Sequence, residues 1–344
     1  MSFKNTYREI GELRSFSAGI GRNRLLVQAS TGNTSVKVEE TLWIKASGTW
    51  LRNAERDDIF VAVPISDIRA ASSRETEITA PYPTLSDKPL RASIETAMHG
   101  VLPYRIVAHV HSINTIAWAV REDAPAQLSK LLSGLCWEWI PYVSSGWRLA
   151  REIERALSKS PEANIFVLGN HGLVACGESC AEVNDILLEV ERRLAVSPRP
   201  GPEPDWRLLH ERARDTCWRM PQSKTVHALG TDRLALHISS RGVLYPCQAI
   251  FFGEMPLAFT LAQTCSGENG YFSPDAAQRF LILDGTGVLV AESITNAERE
   301  ILIGFAEVVQ RIDTAAPLRY LAESEYRQIL NSDTNHYRQL AFAH

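Results

Sequence analysis

Val107-Ala108-His109-Val110-His111 is the stretch on which the reading of this chain turns. It ends a largely apolar, β-branched run from Tyr104, and such a run reads as a buried strand. Side chains alternate along a strand, so His109 and His111 project from one face, roughly 6 to 7 Å apart, within reach of one metal ion. Taken alone, the pair reads as readily as two half-buried strand-end histidines. The choice between the two readings rests on the rest of the first half of the chain.

A third imidazole stands in Gly169-Asn170-His171-Gly172, after the apolar strand 164–168, where flanking glycines permit a sharp turn. Alone it is a turn histidine; with His109 and His111 it completes a three-nitrogen set that leaves a metal one open position for substrate or water. Ser93-Ile94-Glu95-Thr96 supplies a carboxylate at the start of an expected helix, with Ser93 as its N-cap and Glu95 in the first turn. Glu95 reads either as a complement to the helix dipole or as an acid/base. His99, one turn on, shares that helix face and either faces the same cleft or packs. Two turns, Ser30-Thr31-Gly32-Asn33-Thr34-Ser35 and Lys45-Ala46-Ser47-Gly48-Thr49, present hydroxyls and backbone N–H groups suited to a phosphate or carboxylate, unless they are ordinary hairpin turns. Neither is a P-loop, and Gly19-Ile20-Gly21 lacks the third glycine of a dinucleotide fingerprint.

Composition narrows the class. With 344 residues, 45% of them hydrophobic and 22% charged, the chain can bury a sizeable core in two domains. A net charge of -4 with no basic run excludes nucleic acid as a partner, and the want of a long apolar stretch or an apolar N-terminal region excludes a membrane, so the expected location is cytoplasmic. The six cysteines follow no zinc-ribbon spacing and read as free thiols.

Four prolines and a glycine in Val196-Ser197-Pro198-Arg199-Pro200-Gly201-Pro202-Glu203-Pro204 forbid helix and ladder alike, and the domain boundary is placed there. Residues 1–196 form one domain and 205–344 a smaller α/β domain. In the first, helices are expected at 7–17, 93–101, 112–121, 147–158 and 181–194, and strands at 34–38, 41–46, 60–64, 105–111 and 164–168. In the second, strands are expected at 224–229, 234–237, 242–245, 249–252 and 279–283, and helices at 296–311 and 322–331. Interleaving of this kind implies an α/β fold with a sheet flanked by helices. The stretch 166–175 is echoed by 281–290, with Thr286 where His171 stands. Either the second domain is a degenerate duplicate without the histidine, or the likeness is chance.

The order of these pieces, Gly-Asn-Thr-Ser, Lys-Ala-Ser-Gly-Thr, Ser-Ile-Glu-Thr with His99, His-Val-His and Asn-His-Gly, resembles the class II aldolase/adducin family over roughly residues 8–195. The Ser-Ile-Glu form is most similar to the aldolase half of bifunctional rhamnulose-phosphate aldolase/alcohol dehydrogenases, though no dinucleotide fingerprint follows the boundary. The resemblance implies a three-layer α/β/α domain with a mainly antiparallel central sheet. It makes His109, His111 and His171 ligands of a divalent metal, Zn2+, and Glu95 the acid/base, and it assigns phosphate binding to Gly32, Asn33, Ser47, Gly48 and Ser93. Ile94 stands where many members have a second serine, which removes one hydroxyl from that grip. Ile140-Pro141-Tyr142-Val143-Ser144-Ser145-Gly146 is similar to the segment whose tyrosine reaches a neighbouring subunit's site and protonates the leaving aldehyde, so Tyr142 takes that role. The implied partners are a small-molecule substrate and further copies of the chain, a homo-oligomer such as a tetramer with sites between subunits. The implied activity is retro-aldol cleavage of a ketose phosphate or related hydroxy-ketone. A pentulose-phosphate 4-epimerase, a dehydratase or decarboxylase on the same metal, and a non-catalytic adducin-like scaffold are the alternatives.

Overall fold

Two sheets organise the chain, and the larger one carries His109 on a strand with His111 and His171 just beyond strand ends. The computed structural model describes residues 3–72, 82–85, 90–253, 258–259, 278–313 and 317–331. Cys265, His336 and His344 lie outside them, as do parts of the proposed 205–344 domain.

The first half runs α1 (Phe3–Arg22), β1 (Asn33–Val38), β2 (Thr41–Lys45), β3 (Phe60–Pro64), α2 (Ile65–Ser72), α3 (Thr96–Val101), β4 (Ile106–Val110), α4 (Ile113–Ala119), α5 (Ala124–Leu131), β5 (Trp137–Ile140), α6 (Trp147–Lys159), β6 (Ile165–Leu168), β7 (Gly172–Gly177) and α7 (Cys180–Leu194). Its strands form a sheet of order β3-β2-β1-β4-β7-β6-β5. Every adjacent pair is antiparallel except β5 and β6, so the expected mainly antiparallel α/β architecture is what the chain forms.

Alternation along β4 divides the core. Ile106, Ala108 and Val110 join a buried cluster with Leu13 of α1 and Leu187 of α7 on one face. Val107 joins Met98 of α3 and Ile153 of α6 on the other. His109 shares the parity of Val107 and therefore faces α3.

The second half runs α8 (Trp206–Ala213), β8 (Trp218–Arg219), α9 (Lys224–Thr231), α10 (Arg233–Arg241), α11 (Pro246–Phe252), β9 (Ala258–Phe259), β10 (Phe280–Leu283), β11 (Gly287–Ala291), α12 (Asn296–Arg311) and α13 (Glu323–Leu330). Its sheet has the order β8-β11-β10-β9. Four expectations fail here: 224–229, 234–237 and 249–252 are helical, and 242–245 lies outside the strands. In α9 and α11 the cause is nearly all-round burial, which erases the polar face: in α9 every residue from Val226 to Thr231 is buried. The overlooked signals were at the ends. Asp232 caps α10 by accepting from Leu234 N, and Pro246 opens α11.

The halves share one core. Ala29, Ile113, Ile116, Ala117 and Val120 of the first belong to the same buried cluster as Ile238, Ile250, Ile301 and Phe305 of the second. The five described cysteines are free, with Cys176 and Cys247 buried.

Candidate metal centre

The register of the sheet assembles the site. Asn33 on β1 pairs with His109 on β4, so both side chains rise from the same face toward α3. Next to β4, the β6–β7 hairpin closes with Leu168 opposite Gly172 and holds His171 in its turn, where Asn170 adopts φ +51°. Gly172 has no alternative there, because a Cβ would lie 2.5 Å from Val110 O and 3.4 Å from His109 Cε1. Gly32, at φ +66°, is equally confined: a Cβ would stand 2.8 Å from His109 O.

His109, His111 and His171 converge, their ligating atoms all within 4.8 Å of one another. His109 Nε2 lies 3.1 Å from His111 Nε2. Glu95 Oε1 lies 3.4 Å from His109 Nε2 and 3.3 Å from His171 Nε2. All four side chains are buried, His109 completely. Donors bonded at 2.0 to 2.1 Å to a tetrahedral ion stand about 3.3 Å apart, so these three separations match the edges of one such site. His109 Nδ1 donates to Leu173 O at 3.1 Å, which leaves the lone pair on Nε2, the atom aimed at the centre. The residues present fit a divalent cation.

Glu95 is oriented by its neighbours. Asn33 Nδ2 donates to Glu95 Oε2 at 2.7 Å and to Ser93 Oγ at 3.1 Å, and Ser145 Oγ donates to Glu95 Oε1 at 3.3 Å. A carboxylate only accepts, so the Asn33 amide is fixed and its Oδ1 must accept from His99 Nε2. Burial, against which the Glu95 charge works, lowers the His99 pKa to about 3. Its neutral ring then accepts at Nδ1 from the Ser35 hydroxyl, 2.7 Å away. The result is a buried relay from Ser35 through His99 and Asn33 to Glu95. Burial pushes the Glu95 carboxyl up, but His109, His171 and His111 together outweigh it and hold it well below the usual carboxylate range.

The residues expected to grip an anion lie beside this cluster. An isolated bridge between Ala46 and Ala92 brings Ser47 and Ser93 together, and Asn33 bonds Ser93 directly. Gly48 adopts φ +77° in its turn. Ser47 Oγ is buried and, among the described residues, without a hydrogen-bond partner, whereas the Asn33 amide is fully engaged. Ser93 does not cap α3: Glu95 occupies that position, its N–H bonded to Ser93 Oγ at 3.2 Å. Tyr142 is placed elsewhere, packed with Val243, Ala249 and Leu321 of the second half, its ring 5.2 Å from the Arg319 guanidinium.

His99, for which the sequence left open whether it faces the cleft or packs, faces it. Two contributors escaped sequence reasoning. Ser145 was noticed only as part of the tyrosine segment. Cys247 carried no signal at all, yet its Sγ lies 3.0 Å from His111 Nδ1.

A helix-flanked, mainly antiparallel sheet with three imidazoles and a carboxylate converging at its strand ends defines a class of α/β proteins suited to holding one metal ion. This chain belongs to the class II aldolase and adducin N-terminal domain family, whose model matches residues 19–197. Uncharacterized oxidoreductase YuxG of Bacillus subtilis (strain 168) is 30% identical over 175 residues, 46% of this chain and 25% of that protein; the match thus spans a quarter of the curated relative's length. Among solved structures, the N-terminal class II aldolase domain of a conserved protein from Thermoplasma acidophilum is 25% identical, covering 54% of this chain and 92% of that one with a TM-score of 0.48. A sugar-phosphate aldolase from Thermotoga maritima is 16% identical, covering 55% and 93% with a TM-score of 0.45.

Proposed function

We propose that the chain is a divalent-metal-dependent lyase that cleaves a ketose phosphate or related hydroxy-ketone by retro-aldol chemistry. The observation that carries this reading is the convergence of three imidazole nitrogens and one carboxylate oxygen on a single buried point. His109, His111 and His171 would hold the ion, with Zn2+ the best match to three nitrogens at these separations. A divalent cation bound there supplies fixed positive charge against the negative charge that develops as the carbon–carbon bond breaks.

The remaining work belongs to the chain's own side chains. Glu95, ionised and aimed by Asn33 and Ser145, removes or returns the proton at the carbon that loses its neighbour. Ser47 offers an unpaired hydroxyl to an anionic group, and the Gly32 and Gly48 turns offer backbone around it. Ile94 adds no hydroxyl, so the grip is thinner than two adjacent serines would make it. Tyr142 is assigned to the aldehyde oxygen, in a site shared with a second copy. Burial pushes its phenol up, which keeps it in the protonated form that a donor needs.

A panel of ketose phosphates assayed with added Zn2+ tests the reading. The expected products are a free aldehyde and a three-carbon ketone. An isomeric pentulose phosphate as sole product would replace the lyase with an epimerase, and no metal uptake at all would favour a non-catalytic scaffold.

A further inference from the structure

The two sheets share one pattern. In the first half, β5 and β6 are parallel, β6 and β7 antiparallel, and β7 and β4 antiparallel. In the second, β9 and β10 are parallel, β10 and β11 antiparallel, and β11 and β8 antiparallel. Superposing the hairpins by register sets Leu168 opposite Gly172 on Leu283 opposite Gly287, which places His171 on Thr286.

The partner strands then align without adjustment. Ala108 opposes Ala175, and Arg219 opposes Val290 at the corresponding rung. Counting forward from that rung sets His109 on Met220, His111 on Gln222, and Ser112 on Ser223. Ser112 and Ser223 are the N-caps of α4 and α9, the helices that follow each strand. The second unit therefore repeats the frame of the metal centre, with Met220, Gln222 and Thr286 where the first has imidazoles.

What the second unit keeps is contact with the first unit's ligands. Asn170 Nδ2 donates to Leu244 O and to Arg319 O, each at 2.8 Å, and its Oδ1 accepts from Arg319 Nη1 at 3.0 Å. The turn carrying His171 is thus held by three bonds from the second half. Cys247, on α11 and 2% exposed, meets His111 at the ring nitrogen facing away from the centre. If Nδ1–H donates to the sulfur, Nε2 keeps its lone pair for the ion; the opposite tautomer would put a proton where the ion belongs.

We propose that the second half is a ligand-free repeat of the metal-bearing unit, and that Cys247 is its positioning residue, fixing the ring of His111 with Nδ1 toward the sulfur and Nε2 toward the centre. The proposal rests on the metal reading above. Partners of this kind, when removed, cost about 10- to 100-fold in metal affinity.

The test is Co2+ titration of the whole protein, read as the Kd and the visible d–d spectrum, for the unaltered chain, Cys247→Val, Cys247→Ser and His109→Ala. Expected are one ion per chain, a 10- to 100-fold weaker Kd with a shifted spectrum for Cys247→Val, substantial rescue by Cys247→Ser, and no uptake by His109→Ala. Unchanged affinity and spectrum in Cys247→Val overturn the positioning role alone. Failure of the unaltered protein to bind cobalt overturns the metal reading as well, and a second ion per chain that persists in His109→Ala overturns the ligand-free repeat. Should Cys247→Val not fold, Cys247→Ala is titrated in its place, with the same two outcomes.

Discussion

At the scale of single residues, the site divides into groups that would react and groups that aim them. Glu95→Gln keeps the shape and the Asn33 contact but removes the proton acceptor. Turnover in the ketose-phosphate assay should fall about 10²- to 10⁴-fold with Co2+ affinity much less affected. His99 makes a different prediction, because its folded pKa of about 3 lies below the ordinary value of 6.5. Between those values the unfolded chain binds a proton that the folded chain refuses, so stability falls as pH drops from about 6.5 toward 3. Glu95, His109 and Lys37 are the titratable groups that bear on it. Urea melts at pH 7, 5 and 4 should show this loss, and His99→Gln should flatten it; equal slopes in the two proteins would contradict the buried neutral imidazole. None of this relay was legible beforehand. Spacing put His99 on the face of Glu95, but only the pairing of β1 with β4 brings Asn33 between them.

At the scale of elements, Gly172 is where the hairpin touches its neighbour strand. Gly172→Ala sets a Cβ 2.5 Å from Val110 O, so β4 and β7 must part and the imidazoles they carry with them. Co2+ affinity is expected to fall along with the thermal midpoint, and a variant that binds cobalt normally would contradict the tight fit. Thr295→Ala, far from the site, removes the capping box of α12, in which Thr295 Oγ1 and Glu298 exchange bonds with each other's backbone. It should cost about 1 kcal/mol in urea denaturation and leave metal binding alone. That helix was legible to its last residue, because an amphipathic stripe with a capping signal identifies a helix whatever surrounds it. The His109 strand was legible as a short, β-branched apolar run, which is how a strand buried on both faces reads. The helices α9 and α11 were not, since segments buried on nearly all sides show neither period; α10, exposed at Arg233, His237 and Arg241, was missed although it keeps a polar face. Short β5 was missed as well: four residues, Trp137 to Ile140, hold too few repeats to reveal a pattern.

At the scale of the whole molecule, the halves are joined by more than the proline-rich connection. Glu300 of α12 accepts from Ala29 N at 2.9 Å and pairs with Arg52 at 2.5 Å. Ala29 is itself in the left-handed region at φ +54°. Glu300→Ala leaves that N–H without its carboxylate and should cost about 1 to 3 kcal/mol. With one hydrophobic cluster drawn from both halves, urea unfolding should be a single transition by tryptophan fluorescence and by circular dichroism. Two separated transitions would show that 1–196 and 205–344 are independent domains.

The close approach of Gly32 to His109 O has a thermodynamic side. The turn that would cradle an anion and the strand that presents a metal ligand touch backbone to backbone, so neither can be ordered without ordering the other. Occupancy at the two places is therefore linked: inorganic phosphate should tighten Co2+, and Co2+ should tighten phosphate by the same factor, since a coupling free energy has no preferred direction.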